Sequence, residues 1–285
     1  MSIKGELNKV YAKTIGAFLD ARYKFANQRS NRSVVDPKGA AIVSMTTFGQ
    51  RTAKAHLTIE SIANGSVLPK RMILWIDEQK TLEDLPIELE RLKKRGLEIL
   101  PCENLGSFKK FFPLTELDIS SSWVTADDDV FYPKEWLAML VNACKAKKTI
   151  YALRVQRITL NDGKIAPHNS WNFTDIDEPS VLNFATGVNG VIYPSEFLHI
   201  LCLAGRGFLN CCPKADDVWL HKQAIANGYK IAPIGRAKTF FGINGSQATA
   251  LHRFNVKENG NDPQIAATYS NEDIELLIAE DQTRR

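Results

Sequence analysis

The sequence predicts an α/β protein with a mostly parallel central sheet, and three observations lead there. From Ala40 onward, short apolar runs alternate with segments of helical periodicity, the signature of βαβ units. The apolar, β-prone segment Trp123-Val124-Thr125-Ala126 runs directly into Asp127-Asp128-Asp129, as a strand does when it ends at the ligand crevice of an open sheet. The chain has 285 residues, 44% hydrophobic and 24% charged, enough for one large or two intimately joined α/β units of ordinary globular composition.

In chain order, residues 1–35 come first. Leu7, Tyr11, Ile15, Phe18, Leu19 and Tyr23 recur at helical spacing among lysines and arginines, which predicts an amphipathic basic helix. Its apolar stripe is expected to pack on the body. The second reading is a peripheral contact with the inner membrane surface, cations meeting anionic lipid. Residues 1–32 carry seven cations (Lys4, Lys9, Lys13, Arg22, Lys24, Arg29, Arg32) against Glu6 and Asp20, a net +5 that leaves −1 for the remainder of a +4 chain. The body therefore has no electrostatic footprint for nucleic acid.

Residues 36–156 read as a nucleotide-binding half. Strands are expected at 41–44, 71–76 (ending on Asp77), 97–100, 123–126 and 149–155, with helices at 52–64, 85–94 and from Pro133 to Lys147. Residues 157–285 form a smaller second half. There, 158–185 is polar and expected to be an irregular mobile loop, and the Val191-Ile192-Tyr193 run and a helix from Pro194 lead to Asp216-Asp217, which opens a helix that ends at Gly228. Cys102, Cys144, Cys202, Cys211 and Cys212 lack CxxC spacing, so free thiols in a reducing compartment are expected. With neither a signal-type apolar core nor a bilayer-length apolar run, a cytoplasmic protein without a transmembrane segment is expected.

The chemistry is carried by two acidic clusters. Asp127 and Asp129 bracket one residue, a spacing that suits a hard divalent cation whose other positions are filled by water and phosphate. A solvated acidic turn is the competing reading. Asp216-Asp217 adds a second cluster, which permits one to hold metal and the other to move a proton.

Taken in order, these pieces are recognisable. Val43-Ser44-Met45-Thr46-Thr47 with Arg51, then Gly106-Ser107-Phe108-Lys109-Lys110, then Asp127-Asp128-Asp129, then Gly187-Val188-Asn189-Gly190 before Asp216-Asp217-Val218-Trp219-Leu220 resemble bacterial glycosyltransferases of the GT-A fold, similar to family-2-like enzymes, over about Ile42 to Gln264. The resemblance implies a UDP- or GDP-linked sugar donor over the first strands, Mn2+ or Mg2+ on the D-x-D motif, and an acceptor on the second half. It implies Asp129 as direct metal ligand, Asp127 on the ribose or the same metal, and Asp128 beside them. Asp77 would read base or ribose, and Thr46 and Arg51 lie where the nucleotide enters. Lys109 and Lys110 either add positive charge there or form a solvated basic turn. Asp217 is the expected general base, and Asp216 orients acceptor hydroxyls, caps the helix, or does both. His252 is either a further metal ligand or structural. Asn261-Asp262-Pro263-Gln264 also matches a late polar motif, with no mechanical role assigned.

The expected activity is a metal-dependent, inverting hexosyltransferase acting on a saccharide or glycolipid acceptor, in surface-polysaccharide or lipopolysaccharide assembly. Retention stays open, because spacing along a chain does not fix which face of the sugar a carboxylate approaches. The rivals are a sugar nucleotidyltransferase or pyrophosphorylase and a catalytically silent saccharide-binding protein of the same fold.

Overall fold

A computed structural model describes residues 3–176, 178–235, 240–244 and 260–284. Helix α1 (Ile3–Arg29) leads into β1 (Ala41–Thr46), α2 (Thr52–Ala63), β2 (Arg71–Ile76), α3 (Gln79–Glu83), α4 (Ile87–Lys93) and β3 (Leu97–Pro101). There follow β4 (Ser122–Ala126), β5 (Val130–Phe131), α5 (Trp136–Ala143), β6 (Thr149–Ala152) and β7 (Val155–Arg157). Next come β8 (Leu160–Asn161), β9 (Lys164–Ile165), β10 (Asn172–Thr174), β11 (Asn183–Ala185) and β12 (Val191–Tyr193). The chain continues with α6 (Ser195–Ala204), α7 (Phe208–Cys211), α8 (Asp216–Ala226), β13 (Lys230–Pro233), β14 (Phe241–Gly242), α9 (Asp262–Thr268) and α10 (Asn271–Thr283).

The main sheet has seven strands in the order β13-β6-β12-β4-β1-β2-β3. β1 pairs with β2, β2 with β3 and β13 with β6 in parallel, while β12 runs antiparallel to β4 and β6. The expected mixed, mostly parallel α/β architecture is therefore present. Every residue of β1 is buried, as a strand covered on both faces requires.

Two compact units make up the chain: Met1–Cys102 with Asp127–Ala138 and Lys238–Ala250, and Glu103–Ala126 with Met139–Ala237 and Leu251–Arg285. In the first, α1 is fastened to α2 and α4. Asn27 Nδ2 donates to Glu60 Oε1 (3.1 Å) and to the Glu88 carbonyl (3.0 Å), and Glu60 is paired with the buried Arg95. Tyr23 joins Leu57, Phe131 and Ile243 in a buried cluster that Leu19 flanks. The single apolar stripe expected on α1 thus divides: Leu19 and Tyr23 face inward, whereas Tyr11 and Phe18 stay more than 60% exposed, as does Phe25 outside that stripe.

In the second unit, Tyr193 stacks on Trp123 at 4.0 Å between ring centroids and on Phe197 at 5.8 Å. Residues 158–185 are not the irregular loop expected. β10 and β11 flank β7 in an antiparallel three-stranded sheet, and β8–β9 is a hairpin. Asp162 (φ 48°) and Gly163 (φ 73°) close that hairpin, and an Asp-Gly pair is the residue choice for a turn with two positive φ angles. The strand expected over 149–155 is broken after Ala152, with β7 leaving for the smaller sheet. No helix among the described residues is long and apolar enough to cross a membrane. All five cysteines are free.

Candidate active site

In the first unit, the acidic triplet follows β4 and is bracketed by two anchors. Asp127 N–H donates to the Tyr132 hydroxyl (2.8 Å), and Ile243 N–H donates to the Asp129 carbonyl (2.8 Å) as β14 pairs with β5. Tyr132 is itself held through its N–H to Ser61 Oγ on α2, and Thr58 Oγ1 donates to the Val130 carbonyl. Burial, reinforced by the neighbouring aspartates, pushes the Tyr132 phenol well above its ordinary pKa, so it remains a neutral acceptor for Asp127 N–H.

Asp128 and Asp129 are buried, while Asp127 is half-buried. Across the unit comes Arg51, the last residue of a 3-10 turn (Gly49–Arg51) that enters α2. Its Nη2 contacts Asp128 Oδ1 and lies 2.9 Å from Asp129 Oδ2. Gly49 (φ 53°) shapes that turn, and its N–H donates to Glu78 Oε1 (3.1 Å). Of the residues singled out in the sequence, Arg51, Asp128 and Asp129 are therefore brought together directly. Thr46 ends β1, where its hydroxyl donates to the Trp75 carbonyl (3.0 Å) in β2, and Asp77 follows β2 directly.

The second unit holds the other candidates. Lys109 lies in a 3-10 turn (Gly106–Lys110) and is 2% exposed, so it is no solvated basic lysine, whereas Lys110 is half-buried. Asp216 and Asp217 occupy the first turn of α8, where the helix dipole favours negative charge. The N-cap is Ala215, so Asp216 is not the cap. Asp217 Oδ1 accepts the Gly187 N–H at 2.9 Å, a partner that sequence reasoning did not assign. Trp171, Tyr193 and Trp219 are core residues.

The Asn261-Asp262-Pro263-Gln264 motif acquires a structural role. Asp262 Oδ1 accepts the His168 N–H (2.9 Å), Asn261 Nδ2 meets His168 Nδ1 (2.9 Å), and Gln264 Oε1 accepts the Lys214 N–H (2.9 Å) two residues before Asp216. With Nδ1 accepting, His168 Nε2 donates to Gln156 Oε1 at 3.0 Å. His252 lies outside the described residues.

The donor chemistry decides whether a divalent cation fits. Asp127 and Asp129 offer hard oxygen donors, and among the described residues no group of three or more His, Cys, Asp or Glu forms a closed metal cage. Such a pair fits an ion of the magnesium or manganese type that keeps several positions for water and phosphate. Two of the three carboxylates already hold a cationic side chain.

No protein-family model and no curated protein matches the sequence. Solved structures do. A mannosyltransferase from Pyrobaculum calidifontis, solved in complex with GDP-Man and Mn2+, superposes with a TM-score of 0.52 at 13% identity, covering 95% of this chain and 78% of that one. The fold is shared with a glycosyltransferase. Likeness is looser to residues 1–349 of S. aureus TarS (TM-score 0.46, 15% identity, 86% and 70% covered). It is looser again to the inositol-1-phosphate CTP transferase from T. maritima (TM-score 0.42, 12% identity, 79% and 97% covered).

Proposed function

We propose that this protein is a metal-dependent glycosyltransferase that moves a hexose from a UDP- or GDP-sugar to a saccharide or glycolipid acceptor with inversion. The observation that carries the reading is the buried acidic turn after β4, whose Asp128 and Asp129 are engaged by a cation within a fold shared with a glycosyltransferase. Mn2+ or Mg2+ held by Asp127 and Asp129 would stabilise charge on the departing nucleoside diphosphate as a Lewis acid. Arg51, Lys109 and Lys110 add cationic donors for phosphate oxygens, and Thr46 and Asp77 recognise the nucleoside.

On this reading Asp217 accepts the proton of the acceptor hydroxyl as its oxygen bonds to the anomeric carbon. The bond from that carbon to phosphate breaks, and its electron pair leaves with the diphosphate. The Gly187 N–H, donated to Asp217 Oδ1, fixes the position of that carboxylate. Asp216 orients the acceptor. Surface-polysaccharide or lipopolysaccharide assembly at the cytoplasmic face of a membrane is the setting we infer, with α1 making the peripheral contact.

The test is release of nucleoside diphosphate from a panel of nucleotide sugars with Mn2+, with and without acceptor mixtures. Asp129→Ala is expected to abolish turnover, and Asp217→Asn to keep donor binding while losing transfer. Wild-type transfer by the Asp217 variant refutes the base. Pyrophosphate release from a nucleoside triphosphate and a sugar phosphate, with no turnover of any nucleotide sugar, replaces the reading with a nucleotidyltransferase.

A further inference from the structure

The contact between Arg51 and the acidic triplet is more than a salt bridge near a site. One nitrogen, Nη2, serves both Asp128 Oδ1 and Asp129 Oδ2, and the side chains are only 15%, 5% and 11% exposed. Arg51 Nε is also buried and has no hydrogen-bond partner among the described residues. A guanidinium carries five donors in a planar fork suited to bidentate anions, so this arrangement leaves part of its capacity unused. Its charge is confined further by the Phe48 ring, 5.5 Å from the guanidinium carbon.

A buried carboxylate pair needs a cation, and two cations cannot comfortably share the same oxygens. Asp129 is the carboxylate assigned to the divalent ion above, yet its Oδ2 is taken by Arg51. If the ion is to sit on Asp129, the guanidinium must loosen, and it then needs another anion. A diphosphate offers one with matching fork geometry.

We propose that Arg51 is a resident counter-cation that holds Asp128 and Asp129 until a nucleoside diphosphate group arrives to receive it, so that divalent metal and diphosphate are taken up together. This rests on the metal site proposed above. The consequence has an unusual sign: removing a positive side chain should strengthen metal binding in the absence of nucleotide and erase the coupling between the two ligands. Linkage requires the same coupling to appear whichever ligand is titrated first.

The experiment is Mn2+ titration of the full chain, followed by the electron-paramagnetic-resonance signal of free Mn2+, with and without GDP or UDP. Wild type is expected to bind Mn2+ weakly alone and about tenfold or more tightly with a nucleoside diphosphate, within the usual range of coupling. Arg51→Met should bind Mn2+ alone about tenfold more tightly than wild type and gain little from nucleotide. Arg51→Gln, which removes the charge while keeping a polar side chain beside Asp128 and Asp129, should move the same way and serves if the methionine variant does not fold. Affinity for Mn2+ alone that is unchanged or weaker in a folded variant overturns the counter-cation role while leaving the metal site standing. Failure of wild type to bind Mn2+ with either nucleotide overturns both.

Discussion

Gly187 donates its backbone N–H to Asp217 Oδ1 over 2.9 Å, and a Cβ added at position 187 would fall 2.9 Å from that same oxygen. The absence of a side chain is therefore what lets the backbone approach the carboxylate. Gly187→Ala should push the Asp217 carboxylate aside by a few tenths of an ångström or more. Misplacement of a reacting group by about 1 Å costs on the order of 10²-fold in rate, and smaller shifts cost less. Steady-state kinetics should show kcat for transfer falling by about one to two orders of magnitude with little change in donor affinity. Unaltered kcat would remove Gly187 from the acceptor site and weaken the case for Asp217.

Periodicity and turn residues located β1, β2, β3, α2 and α8 to within a few residues, because the strands are short apolar runs and the helices carry apolar residues at helical spacing, each with clear boundaries. The triplet after β4 was legible from residue order, an apolar β-prone run passing directly into three aspartates. Its partner was not: Arg51 and Asp128 are 77 residues apart, and only the folded unit brings them together. The β8–β9 hairpin had a local signal in Asp162-Gly163 that the polar composition of 158–185 obscured. Lys109 reads as surface by residue type, and its burial follows from neighbours such as Phe108, which stacks on Phe208 at 4.0 Å.

His221 makes stability depend on pH. It is buried, with Nε2 donating to the Val181 carbonyl (3.0 Å) and Nδ1 accepting from the Tyr269 hydroxyl (2.7 Å), so the neutral ring satisfies both partners. Burial pushes its pKa down to about 4. His56 on α2, also buried, is displaced in the same direction by the same cause. A base whose folded pKa is depressed stabilises the fold fully above its unfolded value of about 6.5, and the contribution is lost as pH falls through 6.5 toward 4. Urea denaturation should lose on the order of 3 kcal/mol over that window from His221 alone. In His221→Gln the dependence should flatten, and identical pH profiles for variant and wild type would refute the assignment.

Glu60 anchors α2 to α1 and to the segment after α4. It is 3% exposed, faces the buried guanidinium of Arg95 with both oxygens, and accepts from Asn27. Glu60→Ala leaves a buried arginine without its counter-ion, a change that costs about 3–5 kcal/mol, whereas the exposed Arg206–Glu103 pair is screened by water and contributes little. Chemical denaturation of Glu60→Ala beside Glu103→Ala should separate the two by that margin. Similar losses would mean that solvent reaches Arg95.

The outward face of α1 predicts a membrane contact. Phe18 and Phe25 are spaced by seven, so they share one face, and each is more than 60% exposed although α1 already buries Tyr23 and Asn27 on its inward side; Tyr11, seven residues earlier, meets Phe241 edge-on. Arg22 and Arg29 follow Phe18 and Phe25 by four residues and so lie beside them on the helix. Aromatic rings flanked by cations, on a segment with net charge +5, match the interface of an anionic bilayer, which accepts rings at headgroup depth and attracts each cation by about 1 kcal/mol. Co-sedimentation should show binding to phosphatidylglycerol vesicles that weakens with salt and is absent on phosphatidylcholine. The double variant Phe18→Glu, Phe25→Glu should stay in the supernatant while its circular dichroism and melting temperature match wild type, because neither ring belongs to the core. Vesicle binding equal to wild type in that variant would show that this face of α1 does not make the contact.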